Sequence, residues 1–191
     1  MKVSKAQAQA NRAHIVATAS QLFRERGYDG VGVADLMAAA GFTHGGFYKH
    51  FGSKADLMAE AAACGLAQSS GSTADLDGTA FIDRYLSREH RDARGSGCTL
   101  AALGADAARQ SPAIKATFAE GIERMLAEAV ARSGPTPDDS DQHTLRAAKI
   151  NAIAQAVGAL MLSRACPDDS PLADEILETC RRDLHARSSK P

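Results

Sequence analysis

From Asn11 the apolar residues recur at helical spacing. Ile15, Ala19, Leu22 and Phe23 line one face, while Arg12, Gln21, Arg24 and Glu25 point elsewhere. Gly27 stands where a helix-ending glycine stands, and the connector GYDGVG after it uses Tyr28 to anchor its turn. A second helix is predicted over 33–40, with Val33, Leu36, Met37 and Ala40 inward. A third, very short one covers 43–51 and packs Phe47 and Phe51. Ser53 then caps a fourth, which runs through Leu57, Met58 and Ala61 to about Ala67. The opening MKVSKAQAQA reads as a fraying, mildly basic arm.

The pattern stays helical to the end. AQSSGSTADLDGT is polar and small and reads as a loop or hinge. Phe81, Ile82, Tyr85 and Leu86 mark the next helix, and the charged, glycine-bearing REHRDARGSG is predicted to be the least structured internal segment. Helices follow over 98–110 and 112–133, with Pro112 suited to a first turn. In the longer one Ile114, Phe118, Ile122, Met125, Leu126 and Val130 share a face. GPTPDDSD is a loop whose aspartates can cap a helix over 140–165, on which Ile153, Val157, Leu160 and Met161 form a stripe among small neighbours. Pro167 to Pro171 breaks it, a last helix aligns Leu172, Ile176, Leu177, Cys180 and Leu184, and RSSKP frays. The fold class is all-α.

Composition narrows this without changing it. The 191 residues suit one or two domains with a real core. The net charge of −1 excludes a generally basic nucleic-acid coat. Its distribution is uneven: up to Lys54 there are seven Lys and Arg against three acids, and beyond it fifteen against twenty. A basic first quarter ahead of an acidic remainder fits a DNA-facing module on a body that DNA does not attract. Neither a signal-peptide core nor an apolar run near the ~20 residues of a membrane span is present, so a soluble cytoplasmic protein without membrane contact is expected. Cys64, Cys98, Cys166 and Cys180 lack metal-ligand spacing and read as free thiols; no metal and no cofactor is expected. No nucleophile elbow, HExxH or phosphate-binding loop appears, which argues against an enzyme.

The candidate chemistry lies in AAGFTHGGFYKHFGSKADL, Ala39–Leu57. A helix, a tight glycine turn and a second helix showing His44, Gly45, Gly46, Tyr48, Lys49 and His50 make a helix-turn-helix, whose second helix enters a DNA major groove. Lys49 and Lys54 offer ammonium groups to phosphate, Thr43 and Tyr48 hydroxyls, and His50 a ring N–H. Arg12 either touches phosphate from helix one or is merely solvated. Two adjacent glycines oppose helix formation, and close backbone approach to a ligand would explain them.

With helix one and its connector, this stretch resembles the TetR (tetracycline-repressor-like) family of bacterial transcription regulators. The resemblance runs from about Ala13 to Leu57, through Phe23–Gly27–Tyr28, Val33, Leu36, Ala40–Gly41–Phe42–Thr43, Gly45, Phe47–Tyr48, His50–Phe51, Ser53–Lys54 and Leu57. It implies a homodimeric repressor of double-stranded operator DNA, with a three-helix DNA-binding domain (1–54) and a larger helical domain (55–191) for a small-molecule effector and for dimerisation. It further implies that Thr43 caps helix three and reaches phosphate, that Tyr48, His50 and Lys54 contact the DNA backbone, and that His44 and Gly46 approach base edges. Gly46 departs from the small hydroxyl residue or Ala common there, and Gly32 from the usual Thr or Ser cap of helix two.

For the larger domain, Phe81, Tyr85, Leu100, Leu103, Phe118, Ile122 and Met125 are candidates to line an effector pocket; plain core is the default reading of such a stripe. Ile153, Val157, Leu160, Met161, Leu172, Ile176, Cys180 and Leu184 are candidates for the dimer interface. Cys98, at a loop edge with Arg91 and Arg94 near in sequence, is a candidate redox or electrophile sensor or else an ordinary thiol. A regulator without a small-molecule ligand is the remaining alternative.

Overall fold

A computed structural model describes residues 4–71, 77–134 and 139–188, and every regular element among them is helical. The order is α1 (Lys5–Arg26), α2 (Val33–Ala39), a 3-10 helix (His44–Lys49), α3 (Lys54–Gly71), α4 (Gly78–Tyr85), α5 (Arg88–Asp92), a 3-10 turn (Arg94–Ser96), α6 (Thr99–Ala107), α7 (Pro112–Ala131), α8 (Asp139–Ala165) and α9 (Pro171–Ser188). Residues 1–3 of the expected arm, 72–76 of the first loop, 135–138 of the second and 189–191 of the frayed end lie outside the described residues.

The chain forms two compact units, Met1–Ser69 with Arg94–Ala119, and Ser70–Ala93 with Glu120–Pro191. The first reaches well past residue 54. α1 begins at Lys5, not Asn11, because the Ser4 hydroxyl caps it by accepting from the Gln7 N–H at 3.1 Å. Its buried stripe of Ile15, Val16, Ala19 and Phe23 meets Leu36, Met37, Phe47, Phe51 and Leu57 in the core of this unit. Gly27 ends α1 at φ +73°, and Tyr28 turns back with its ring edge-on to Phe23 at 5.0 Å. That turn is held from two sides: the Lys54 ammonium donates to the Tyr28 carbonyl at 2.6 Å, and the Tyr28 N–H donates to Asp106 Oδ2 at 3.4 Å.

α6 and the first half of α7 complete this core through Leu100, Leu103, Ile114 and Phe118. Arg24 joins α1 to the segment before α6. Its Nε donates to the Gly95 carbonyl at 2.7 Å and its Nη1 to Ser20 Oγ at 2.7 Å, with Thr99 Oγ1 at 3.5 Å. Burial pushes the Arg24 guanidinium below its ordinary pKa.

In the second unit α8 and α9 pack along each other, with α4 against α9 and α5 against α8. The segment expected to be least structured is instead ordered, as α5 in this unit and as the 3-10 turn Arg94–Ser96 in the first. Ser87 caps α5 by accepting from the His90 N–H at 3.1 Å. Arg91, only 1% exposed, donates to the carbonyls of Ser163 and Cys166 at 3.2 Å and pairs with Asp92 at 2.5 Å and Asp168 at 3.0 Å. Arg91 is thus buried with each of its nitrogens hydrogen-bonded, the form in which a buried cation is tolerated.

Candidate nucleic-acid interface

The turn into the candidate reading helix is a Schellman motif. Gly41 takes φ +79° and donates to the Ala38 carbonyl at 3.0 Å, while the Phe42 N–H donates to the Met37 carbonyl at 2.8 Å. A residue with a side chain would be strained at Gly41. At the other end of α2, Gly32 has no side chain to serve as a cap. The Asp35 carboxylate instead accepts from the Gly32 N–H at 3.3 Å, half of a capping box.

The expected helix over 43–51 is shorter and tighter, a 3-10 helix of six residues, His44–Lys49. Gly45 and Gly46 favour helix poorly, and the chain is pinned on both sides, so two tight turns are what fits. Phe47 is buried and stacks near Phe51, ring centroids 5.5 Å apart, which turns the opposite face outward. On that face Thr43, His44, Gly45, Tyr48 and Lys49 are exposed, Tyr48 to 70%. Thr43 makes no side-chain capping bond, although its carbonyl accepts from the Gly46 N–H at 2.9 Å. His50 is half-buried, its ring 6.4 Å from that of Phe42 and 6.2 Å from that of Phe51.

Two expected phosphate donors are engaged inside the chain. Lys54 is half-buried and spends a donor on the Tyr28 carbonyl. Arg12 forks onto both carboxylate oxygens of Glu60 in α3, donates from Nε to the His50 carbonyl at 3.3 Å, and lies 4.7 Å over the Phe51 ring. Glu60, whose hydrogen bond raises the Arg12 pKa, escapes sequence reasoning. The pair is 48 residues apart, so no helical spacing could reveal it.

The other candidate residues are divided. Leu100, Leu103 and Phe118 are buried in the first unit. Phe81, Tyr85, Ile122 and Met125 belong to the second, where the Phe81 and Tyr85 rings lie 5.5 Å apart and Tyr85 lies 4.7 Å from His90. Of the candidate interface, Leu160 and Leu184 are buried within the chain and are core residues, because α8 and α9 pack on each other there. Ile153, Val157, Met161, Ile176 and Cys180 are half-buried, and Leu172 is exposed. Ile150 and Leu162 of α8 are also exposed, and the stripe drawn from the sequence missed both.

Cys98 is 5% exposed and sits at the N-cap of α6, within electrostatic reach of Arg24. Burial favours a packing role for this thiol over the sensor reading. Among the described residues no group of His, Cys, Asp and Glu could hold a metal, and no helix is long and apolar enough to cross a membrane.

Residues 15–61, the stretch from the middle of α1 into α3, match the family described as "Bacterial regulatory proteins, tetR family". Over 43 residues the chain is 51% identical to the HTH-type transcriptional repressor DhaR of Mycobacterium sp. (strain GP1), 22% of each protein. Over 57 residues it is 39% identical to the HTH-type transcriptional regulator AcrR of Shigella flexneri, 30% of this chain and 26% of that protein. The matched part thus spans about a quarter of the length of these curated relatives. The fold likeness is much wider. A TetR-family transcriptional regulator from Cytophaga hutchinsonii superposes with a TM-score of 0.72 over 97% of this chain and 98% of that one, at 17% identity.

Proposed function

We propose that this chain, whose residues 15–61 match the TetR family, is a DNA-binding transcriptional regulator, a repressor that a small-molecule ligand releases from its operator. One observation carries the reading. The family match coincides with the module in which buried Phe47 and Phe51 force Tyr48, Lys49 and His44 outward on one short helix. Thr43, Tyr48 and Lys49 hold the DNA backbone, and His44, Gly45 and Gly46 face the base edges. Two copies act as a homodimer, since one short reading helix buries too little to find an operator and a two-fold pair reads two half-sites. The half-buried and exposed apolar residues of α8 and α9, Ile153, Val157, Met161, Leu172, Ile176 and Cys180, supply the partner surface. The effector is apolar or amphipathic, and it acts by favouring a dimer whose reading helices are wrongly spaced. The protein works in the cytoplasm, as a binding protein and not an enzyme.

Selection of duplexes from a random pool, followed by a gel-shift titration, tests this. The protein is expected to enrich a two-fold-symmetric sequence. Lys49→Gln should weaken every duplex alike and lower the slope of log K against log salt by about 0.9, the value of one lost phosphate contact. No enrichment at any salt concentration overturns the reading.

A further inference from the structure

We infer that Arg12 and Glu60 form a clamp that sets the position of the reading helix, and that Arg12 is a positioning residue and not a phosphate contact. This rests on the DNA-binding reading above. Three features of the geometry point to it. First, each nitrogen of the guanidinium is engaged, through three of its five N–H donors: both Nη groups fork onto the Glu60 carboxylate, and Nε donates to the His50 carbonyl at 3.3 Å. A planar five-donor group used on all three nitrogens has no second fork for a phosphate. Second, those partners come from different parts of the module. Arg12 belongs to α1 and Glu60 to α3, while His50 is the residue that ends the 3-10 helix His44–Lys49.

Third, the guanidinium lies 4.7 Å over the ring of Phe51, which in turn stacks on Phe47, the one buried side chain of that helix. A helix of six residues has few internal hydrogen bonds to fix its own direction. The Arg12 guanidinium therefore holds its last carbonyl and its apolar anchor together against α1 and α3. Half-exposed ion pairs contribute little to overall stability. The effect of this one falls on where Tyr48 and Lys49 point.

The clamp and the phosphate reading predict opposite signs for Glu60. If Arg12 touches phosphate, Glu60 only dilutes its charge, and Glu60→Gln leaves DNA binding unchanged or tightens it. If Arg12 is a clamp, Glu60→Gln weakens binding although it removes a negative charge. The probe is the duplex that the wild-type protein selects from a random pool, titrated by fluorescence anisotropy between 50 and 200 mM salt. Glu60→Gln and Arg12→Gln are each expected to weaken binding about tenfold, with the double variant no weaker than either single one. Arg12→Lys should fail to restore binding, because an ammonium group cannot fork and also reach the His50 carbonyl. The salt slope should stay that of the wild type. Amide hydrogen exchange without DNA should quicken at Gly46, His50 and Phe51, whose N–H groups hold the turn.

A tighter or unchanged complex with Glu60→Gln overturns the inference. So does rescue by Arg12→Lys, or a slope lower by about 0.9 in Arg12→Gln. Should Arg12→Gln fail to fold, Glu60→Gln alone decides. If the wild-type protein selects no duplex, the regulator reading falls instead, and the clamp is then judged on amide exchange alone.

Discussion

The backbone at Gly45 and Gly46 lies outside the left-handed region, and a methyl group built on either meets nothing closer than Met37 Cε at 3.6 Å. The fold of the free chain therefore does not require either glycine, unlike Gly41. Gly46→Ala should stabilise the protein by about 0.5–1 kcal/mol, read as a higher melting temperature. It should also change which duplexes are selected, because the new methyl group stands where the backbone would approach the bases. Gly65 gives the opposite sign. A Cβ there would lie 2.4 Å from Arg24 Nη1, 2.5 Å from Thr99 Oγ1 and 2.7 Å from Ser20 Oγ. Gly65→Ala should lower stability by about 1–3 kcal/mol through overpacking. His90 provides a third residue-scale prediction. Its Nδ1–H donates to the Tyr85 carbonyl at 2.6 Å, and burial, with Arg164 and Arg84 near, holds its pKa below the ordinary value. The unfolded chain then takes up the proton first on acidification. The stability His90 contributes is complete above about pH 6.5 and falls as pH drops through that value towards the folded pKa. Urea midpoints between pH 8 and pH 5 should show that decline, and His90→Asn should remove its part of it.

At the scale of elements, the short pieces are held by side chains from elsewhere in their unit. α5 has five residues and could not persist alone. Arg91 fastens it to α8 and to the Cys166–Asp168 turn, and the neighbouring Arg164 donates to the carbonyls of His90 and Arg91 at 2.9 Å. Arg91→Ala would leave buried carbonyls and the Ser163 hydroxyl short of a donor. A loss of about 2–3 kcal/mol is expected, with early amide exchange across 88–92. Both carboxylate partners are solvated, so the loss should stay below that of a wholly buried pair. The 3-10 helix His44–Lys49 follows the same rule through Phe47, Phe51 and Arg12.

At the scale of the whole molecule, α8 and α9 bury one set of apolar residues in the chain and leave another exposed. Leu160 and Leu184 belong to the first set, and Leu172 to the second. Leu160→Ala should therefore destabilise the fold by about 2–5 kcal/mol. Leu172→Glu should leave the melting temperature of the isolated chain nearly unchanged and lower the mass found by analytical ultracentrifugation from that of the proposed dimer towards monomer. Equal mass in both proteins would remove Leu172 from the proposed partner surface.

Read alone, the sequence determined the helical class, the order of the main helices, and the glycine-punctuated module around Phe47 and Tyr48. These depend on local causes: apolar spacing, caps, and turns that need a positive φ. Tertiary structure alone decided which polar side chains face outward. Arg12 and Lys54 read as phosphate donors because both are basic, yet Glu60 and the Tyr28 carbonyl reach them from 48 and 26 residues away. It also decided which side of an apolar stripe is core, burying Leu160 while Leu172 stays exposed. It ordered the Arg88–Ser96 region and buried Cys98 as well, since burial and ion pairing are properties of what packs opposite a residue and not of its neighbours in the chain.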